Sequence, residues 1–118
     1  MAYVDGFLLP VPTKNLSQYR AMARKAGKVW RKHGALQYVE AVADDLDVKM
    51  CVSFSKTIKV KPGETVIFAW IVFKSRAHRD QVNAKVMADP SLRKTMEGPM
   101  PFDIKRMAYG GFKYLVNV

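Results

Sequence analysis

Apolar and polar positions change period several times along this chain, and each change marks an element. Residues 2–10 (AYVDGFLLP) carry apolar side chains on both faces of a strand, with Tyr3, Asp5, Phe7 and Leu9 on one and Val4, Gly6 and Leu8 on the other. Pro10 and Pro12 are expected to close it. Leu16, Tyr19, Met22, Ala23, Ala26, Trp30 and His33 then recur at mostly three- and four-residue spacings, the stripe of an amphipathic helix. Asn15 and Gln18 read as a capping-box variant at its start, and Gly34 suits its end. Residues 35–43 alternate again, with Leu36, Tyr38, Glu40 and Val42 on one face. Alternation through Val52, Phe54, Ile58 and Val60 suggests an extended arm, with a short helix at 53–59 as the alternative, before a Pro62-Gly63 turn.

The run 65–73 (TVIFAWIVF) carries no charge and is apolar on both faces, so both faces must be covered. Ser75 caps a second helix, along which Arg76 and Asp80 can pair, and Asp89-Pro90-Ser91 ends it. Pro99 and Pro101 deny helix to the next segment, which is expected to continue as a last strand with Gly110-Gly111 marking a bulge or a close backbone approach. The order strand, helix, strand, strand, helix, strand is that of a ferredoxin-like α+β fold. Two helices cover one face of its antiparallel sheet, and the strand at 65–73 requires a cover for the other. The economical cover is a second copy, sheet to sheet, in a homodimer.

The length, 118 residues, allows one domain, 1–118. The net charge of +10 is unevenly placed. Between Gly6 and Val39 there is no acidic residue, and the interval holds Lys14, Arg20, Arg24, Lys25, Lys28, Arg31 and Lys32. That basic helix face would attract phosphates, so nucleic acid or another polyanion is one possible partner, against a plain solvated face. Tyr19 and Trp30 lie on the apolar stripe instead of among the basic residues, where stacking platforms would be needed. Cys51 is alone, so no internal disulfide and no cysteine-based metal site can form. The acidic turn Asp44, Asp45, Asp47 lacks the glycine and terminal glutamate of a calcium loop. No cofactor and no metal are expected. The absence of a long apolar run or a leader-like N-terminus points to a cytoplasmic protein without a membrane partner.

Charged residues in core-grade strands are the candidates for chemistry. Asp103, Arg106, Tyr109 and Glu40 are the candidate catalytic residues, and Asp5, Tyr38 and Trp70 the candidate pocket walls. Arg106 would hold an anionic or carbonyl oxygen, Asp103 or Glu40 would act as general base, Tyr109 would donate a hydrogen bond and Trp70 would stack on a flat ligand. In an unbroken strand Asp103 and Tyr109 share one face and Arg106 takes the other, so all three converge only across a bulge. The alternative makes Asp103 and Arg106 structural partners of neighbouring elements. These residues describe a small-molecule pocket, with or without a cofactor-independent reaction.

Several stretches together resemble one family. They are Tyr3-Val4-Asp5-Gly6-Phe7, Trp30 followed by His33-Gly34-Ala35-Leu36, Ala43-Asp44-Asp45, Phe68-Ala69-Trp70-Ile71, Arg79-Asp80 with Asn83, and Met87 followed by Asp89-Pro90. The likeness is densest in Met100-Pro101-Phe102-Asp103, Lys105-Arg106-Met107 and Tyr109-Gly110-Gly111-Phe112. The chain resembles the YbaA-like bacterial family of the dimeric α+β barrel superfamily. The resemblance implies a ferredoxin-like fold and a dimer. It implies no particular activity, because superfamily members include oxygenases, dehydratases, isomerases and haem enzymes.

Overall fold

Four strands, β1 (Tyr3–Pro12), β2 (Gln37–Val42), β3 (Glu64–Phe73) and β4 (Ala108–Lys113), form one antiparallel sheet in the order β2-β3-β1-β4. The structure is a computed structural model describing residues 1–118. Strand β1 (Tyr3–Pro12) leads through a short 3₁₀ turn into helix α1 (Leu16–Lys32), then β2 (Gln37–Val42), the four-residue helix α2 (Phe54–Thr57), β3 (Glu64–Phe73), α3 (Arg76–Ala88), α4 (Pro90–Thr95) and β4 (Ala108–Lys113). This is the ferredoxin-like order. No helix is long and apolar enough to cross a membrane.

The register sorts the side chains into two faces. Leu9, Ile67, Ala69, Ile71 and Phe73 lie under the helices, where Val29 of α1 and Val82 and Val86 of α3 are buried with them. Full burial of Phe73 and Leu9 stabilises by about 1.5–3 kcal/mol each. The other face presents Val4, Gly6, Leu8, Phe68, Trp70, Val72, Ala108 and Phe112. Phe68 and Phe112 are 46 % and 60 % exposed there. The molecule is only 20 Å thick, the depth of one sheet and one helix layer, so this second face has no helix layer; its Pro10–Val66 end is buried and the rest is bare in the single chain.

Several local expectations give way. Strand β1 runs through Pro10 to Pro12 instead of closing at Pro10. The Thr13 N–H bonds Gly63 O at 2.8 Å, so odd-numbered residues of β1 address β3. The two prolines therefore turn their missing donors to the side where β4 has already ended, at the pair Leu8–Ala108. The capping box does not form. Asn15 accepts no bond from the helix and donates its amide to Pro101 O at 3.1 Å. The extended arm yields to its short-helix alternative, α2, which Ser53 caps by accepting from the Lys56 N–H. Asp80 pairs with its neighbour Arg79 at 3.3 Å instead of with Arg76. The last strand begins only at Ala108. Residues Ile104–Arg106 make a 3₁₀ turn, since the Asp103 carboxylate accepts the Lys105 N–H and curls the backbone. Gly110 and Gly111 pair in unbroken register with Gly6 and Asp5, so they form no bulge. Gly111 serves close approach: a Cβ there would fall 2.3 Å from the Tyr3 hydroxyl.

Candidate functional site

The residues singled out from the sequence fall into four separate places. Asp103 is exposed and spent on capping its own turn. Arg106 bonds both carboxylate oxygens of Glu64, at 2.5 and 3.0 Å, and also the Lys59 carbonyl at 3.0 Å. Lys59 holds a left-handed φ of 52°, a strained conformation that the Arg106 bond helps to keep. The Arg106 guanidinium holds the Glu64 carboxyl below its ordinary range. Both residues pin the start of β3 to the turn before β4, so Asp103, Arg106 and Tyr109 do not converge. Trp70 lies on the bare sheet face, opposite Tyr38, Glu40, Asp5 and Tyr109, with its indole N–H 3.3 Å from Gln37 Oε1 and its ring centroid 5.5 Å from that of Phe68. It is no wall of a pocket beneath the helices.

The remaining four candidates make two carboxylate centres on the helix side. The first is buried. Asp5, 1 % exposed, sits on β1 under α3, and Arg79 of α3 reaches it with Nε 3.7 Å from Oδ1, beyond hydrogen-bond reach. Neither of those atoms has a hydrogen-bond partner. Arg79 instead donates to the hydroxyls of Tyr109 and Tyr3 at 3.0 and 3.1 Å, with its guanidinium 5.0 Å over the Tyr3 ring. Burial pushes the Asp5 carboxyl up from its ordinary value, against the opposing pull of Arg79, the Tyr109 hydroxyl and the Asn83 amide. The Tyr109 phenol is also raised, by burial and then by the Asp5 charge. Trp30 donates to Asn83 Oδ1 at 3.0 Å, which ties α1 into the same polar core.

The second centre opens to solvent. Glu40 and Tyr38 stand two residues apart on β2, hence on one face, and both point toward α1. The Tyr38 hydroxyl donates to Glu40 Oε2 at 2.6 Å and the Tyr19 hydroxyl of α1 donates to Oε1. Burial, followed by the Glu40 charge, pushes both phenols above their ordinary range and keeps them protonated. Around this clamp lies a groove of about 790 Å³ between α1 and β2. Leu16, Ala23, Val42 and Ile67 give it apolar walls, and Arg20, Arg24, Lys28 and Arg31 stand along its α1 side. Arg31 is committed to the carbonyls of Ala35 and Leu36. Arg20, Arg24 and Lys28 are exposed and make no ion pair. Lys32 lies off this groove and pairs with Asp89 at 3.3 Å, beside His33 at 2.7 Å.

The sequence reading missed Gly27, Tyr19, Tyr3, Arg79 and Asn83 as site residues. Gly27 had a signal, a glycine inside an otherwise good helix, where it costs stability. A Cβ at Gly27 would fall 2.7 Å from the Tyr38 ring, so glycine is what lets that ring lie against α1. Tyr19 had one too, since a phenol on a buried stripe needs a partner for its hydroxyl. Arg79 and Asn83 had none, because only the packing of α3 on β1 brings them to Asp5.

Sheet order and helix placement define a ferredoxin-like α+β protein. Its fold matches that of Rv0793 from Mycobacterium tuberculosis, with a TM-score of 0.57 at 14 % identity over 99 % of this chain and 98 % of that one. It also matches an uncharacterized NIPSNAP domain protein from Burkholderia xenovorans, with a TM-score of 0.57 at 8 % identity over 95 % and 93 %. Residues 2–104 match the family model described as a protein of unknown function (DUF1428), and the chain belongs to that family. It is 41 % identical over 117 residues to the uncharacterized protein YbaA of Escherichia coli K12, and equally to that of Shigella flexneri, covering 99 % of each chain.

Proposed function

We propose that this chain is a cytoplasmic homodimer that binds a small organic anion in the groove between α1 and β2. The observation that carries the reading is the pairing of a tyrosine-clamped carboxylate, Glu40, with three cations, Arg20, Arg24 and Lys28, that have no protein partner. These cations stand beside an apolar groove of a size that suits a small ligand. The two readings of the sequence, pocket and basic face, thus meet in one place. Glu40 is the general base if the ligand is turned over. The homodimer is supported by the bare apolar sheet face carrying Phe68, Trp70 and Phe112. The exposed Cys51 fits a reducing compartment. Isothermal calorimetry with a panel of small carboxylates and phosphate monoesters tests the site. Binding that falls about tenfold or more in an Arg24→Gln/Lys28→Gln double variant supports it, and a panel that shows no heat with the wild type rejects it.

A second reading has one observation in its favour. The basic surface continues past the groove, through Lys25, Lys28 and Lys32 of α1 to Lys94 of α4. A polyanion such as RNA would follow that track. Its signature is affinity that falls steeply with salt, measured by fluorescence anisotropy, whereas a small acid meeting a few cations in the groove loses affinity more gently as salt rises.

A further inference from the structure

The hydrogen-bonding polarity of the groove limits what can occupy it. Resting on the groove reading, we infer that the ligand is bipolar: an organic acid that also carries a hydroxyl or amino group, with the donor turned in toward Glu40 and the acid turned out toward α1. An ionised carboxylate only accepts hydrogen bonds, and a tyrosine has a single O–H to donate. Both phenols spend that O–H on Glu40, Tyr19 on Oε1 and Tyr38 on Oε2. The three polar side chains of the floor therefore offer lone pairs and no proton. Each carboxylate oxygen keeps acceptor capacity beyond the one bond it takes. Arginine and lysine are the reverse, donors with no acceptor, so the free side chains of the rim offer only protons and positive charge.

Acceptors below and donors above fix the orientation. An acid group on the floor would meet the Glu40 charge with no donor to hold it. A wholly apolar ligand would displace water from Glu40 and leave its free lone pairs unmet. A plain acid would satisfy the rim and leave the floor unsatisfied in the same way. A hydroxy acid or amino acid satisfies both ends, and Leu16, Ala23, Val42 and Ile67 take the apolar frame between them. Arg31 gives its Nη1 donors to two backbone carbonyls, which leaves it fewer donors for a ligand than Arg20 or Arg24.

Matched pairs of acids test the inference on the wild-type chain, so no variant has to fold. Calorimetry is run with 4-hydroxyphenylacetate against phenylacetate, and with 6-hydroxyhexanoate and 6-aminohexanoate against hexanoate. At least one donor-bearing member is expected to bind about tenfold tighter than its parent, the scale of one hydrogen bond to a charged acceptor. Glu40→Gln should narrow that gap, while Arg24→Gln/Lys28→Gln should weaken both members alike. Parents that bind as tightly as their donor-bearing partners overturn the bipolar assignment and leave the groove as an anion site. Acids that bind in no pair overturn the assignment and the groove reading together.

Discussion

Asp5 and Asp89 are the buried carboxylates of this chain, and their surroundings push them in opposite directions. Asp5 lies on β1 with an unpartnered oxygen, and burial raises it. A carboxyl whose folded pKa lies above its unfolded value, about 3.9, makes its greatest contribution to stability below that value. The contribution is lost as pH rises through the folded pKa. Denaturant unfolding followed across that interval should show wild type losing stability, relative to Asp5→Asn, as pH rises; parallel profiles would mean that Asp5 is not strained when ionised. Asp89 caps α4 through the Ser91 N–H and hydroxyl at 2.8 and 2.7 Å, and bonds His33 at the end of α1. Those bonds, Ser91 first and then His33, hold its carboxyl well below the ordinary carboxylate range. Its contribution is present above about pH 3.9 and is lost as pH falls toward the folded value. Asp89→Asn should therefore melt below wild type at neutral pH, with the two melting temperatures drawing together only in strong acid.

At the scale of elements, α1 is the piece that makes the groove. Its stripe turns inward, with Tyr19, Ala23 and Ala26 buried and Leu16, Met22 and Trp30 half-buried, and Val29 joins them inside. Its basic residues are not a detached solvated face: Arg20, Arg24 and Lys28 follow one i, i+4 row along the groove rim. Gly27 sets the distance between helix and strand. Gly27→Ala gains about 0.5–1 kcal/mol in helix propensity and sets a methyl group against the Tyr38 ring, an overpacking that costs about 1–3 kcal/mol. Wild-type background should show a net loss in urea unfolding, whereas a Tyr38→Ala background should turn the same substitution stabilising. A second junction joins the turn at 104–106 to β3. Removing it with Arg106→Ala should raise amide hydrogen exchange at Lys59, Arg106 and Met107 while leaving the β1–β3 ladder protected. Uniform protection in both would show that the Arg106–Glu64 pair holds nothing in place.

At the scale of the molecule, a slab 20 Å thick leaves most of one sheet face bare. Phe68 and Phe112 stand on it, and Phe54 of α2 adds a ring 6.0 Å from that of Phe68. Apolar surface of this kind is worth about 25 cal/mol per Å² when removed from water. Sedimentation equilibrium at micromolar concentration should give a dimer for wild type and a monomer for Phe68→Glu, with the helical circular dichroism retained. A monomeric wild type would leave the bare face without the second copy as its cover.

The sequence alone was enough for the order of the strands and main helices, for which residues of β1, β2 and β3 share a face, and for the concentration of charge on α1. Those properties follow from side-chain periods of 2 and 3.6, which are local. It also carried the likeness that led to the family. It named Glu40, Tyr38 and the basic residues of α1 without bringing them together. Asp103 and Arg106 stand out because they are charged within an apolar stretch, yet one curls its own turn and the other pairs with Glu64, 42 residues earlier. Glu40 meets Tyr19 across 21 residues, and Arg79 meets Tyr3 across 76. Partners so far apart along the chain are set by how helices pack on a sheet, and no period within one segment encodes them. That is why the tertiary structure alone decided which carboxylate would face an open groove, and which would be closed inside the core.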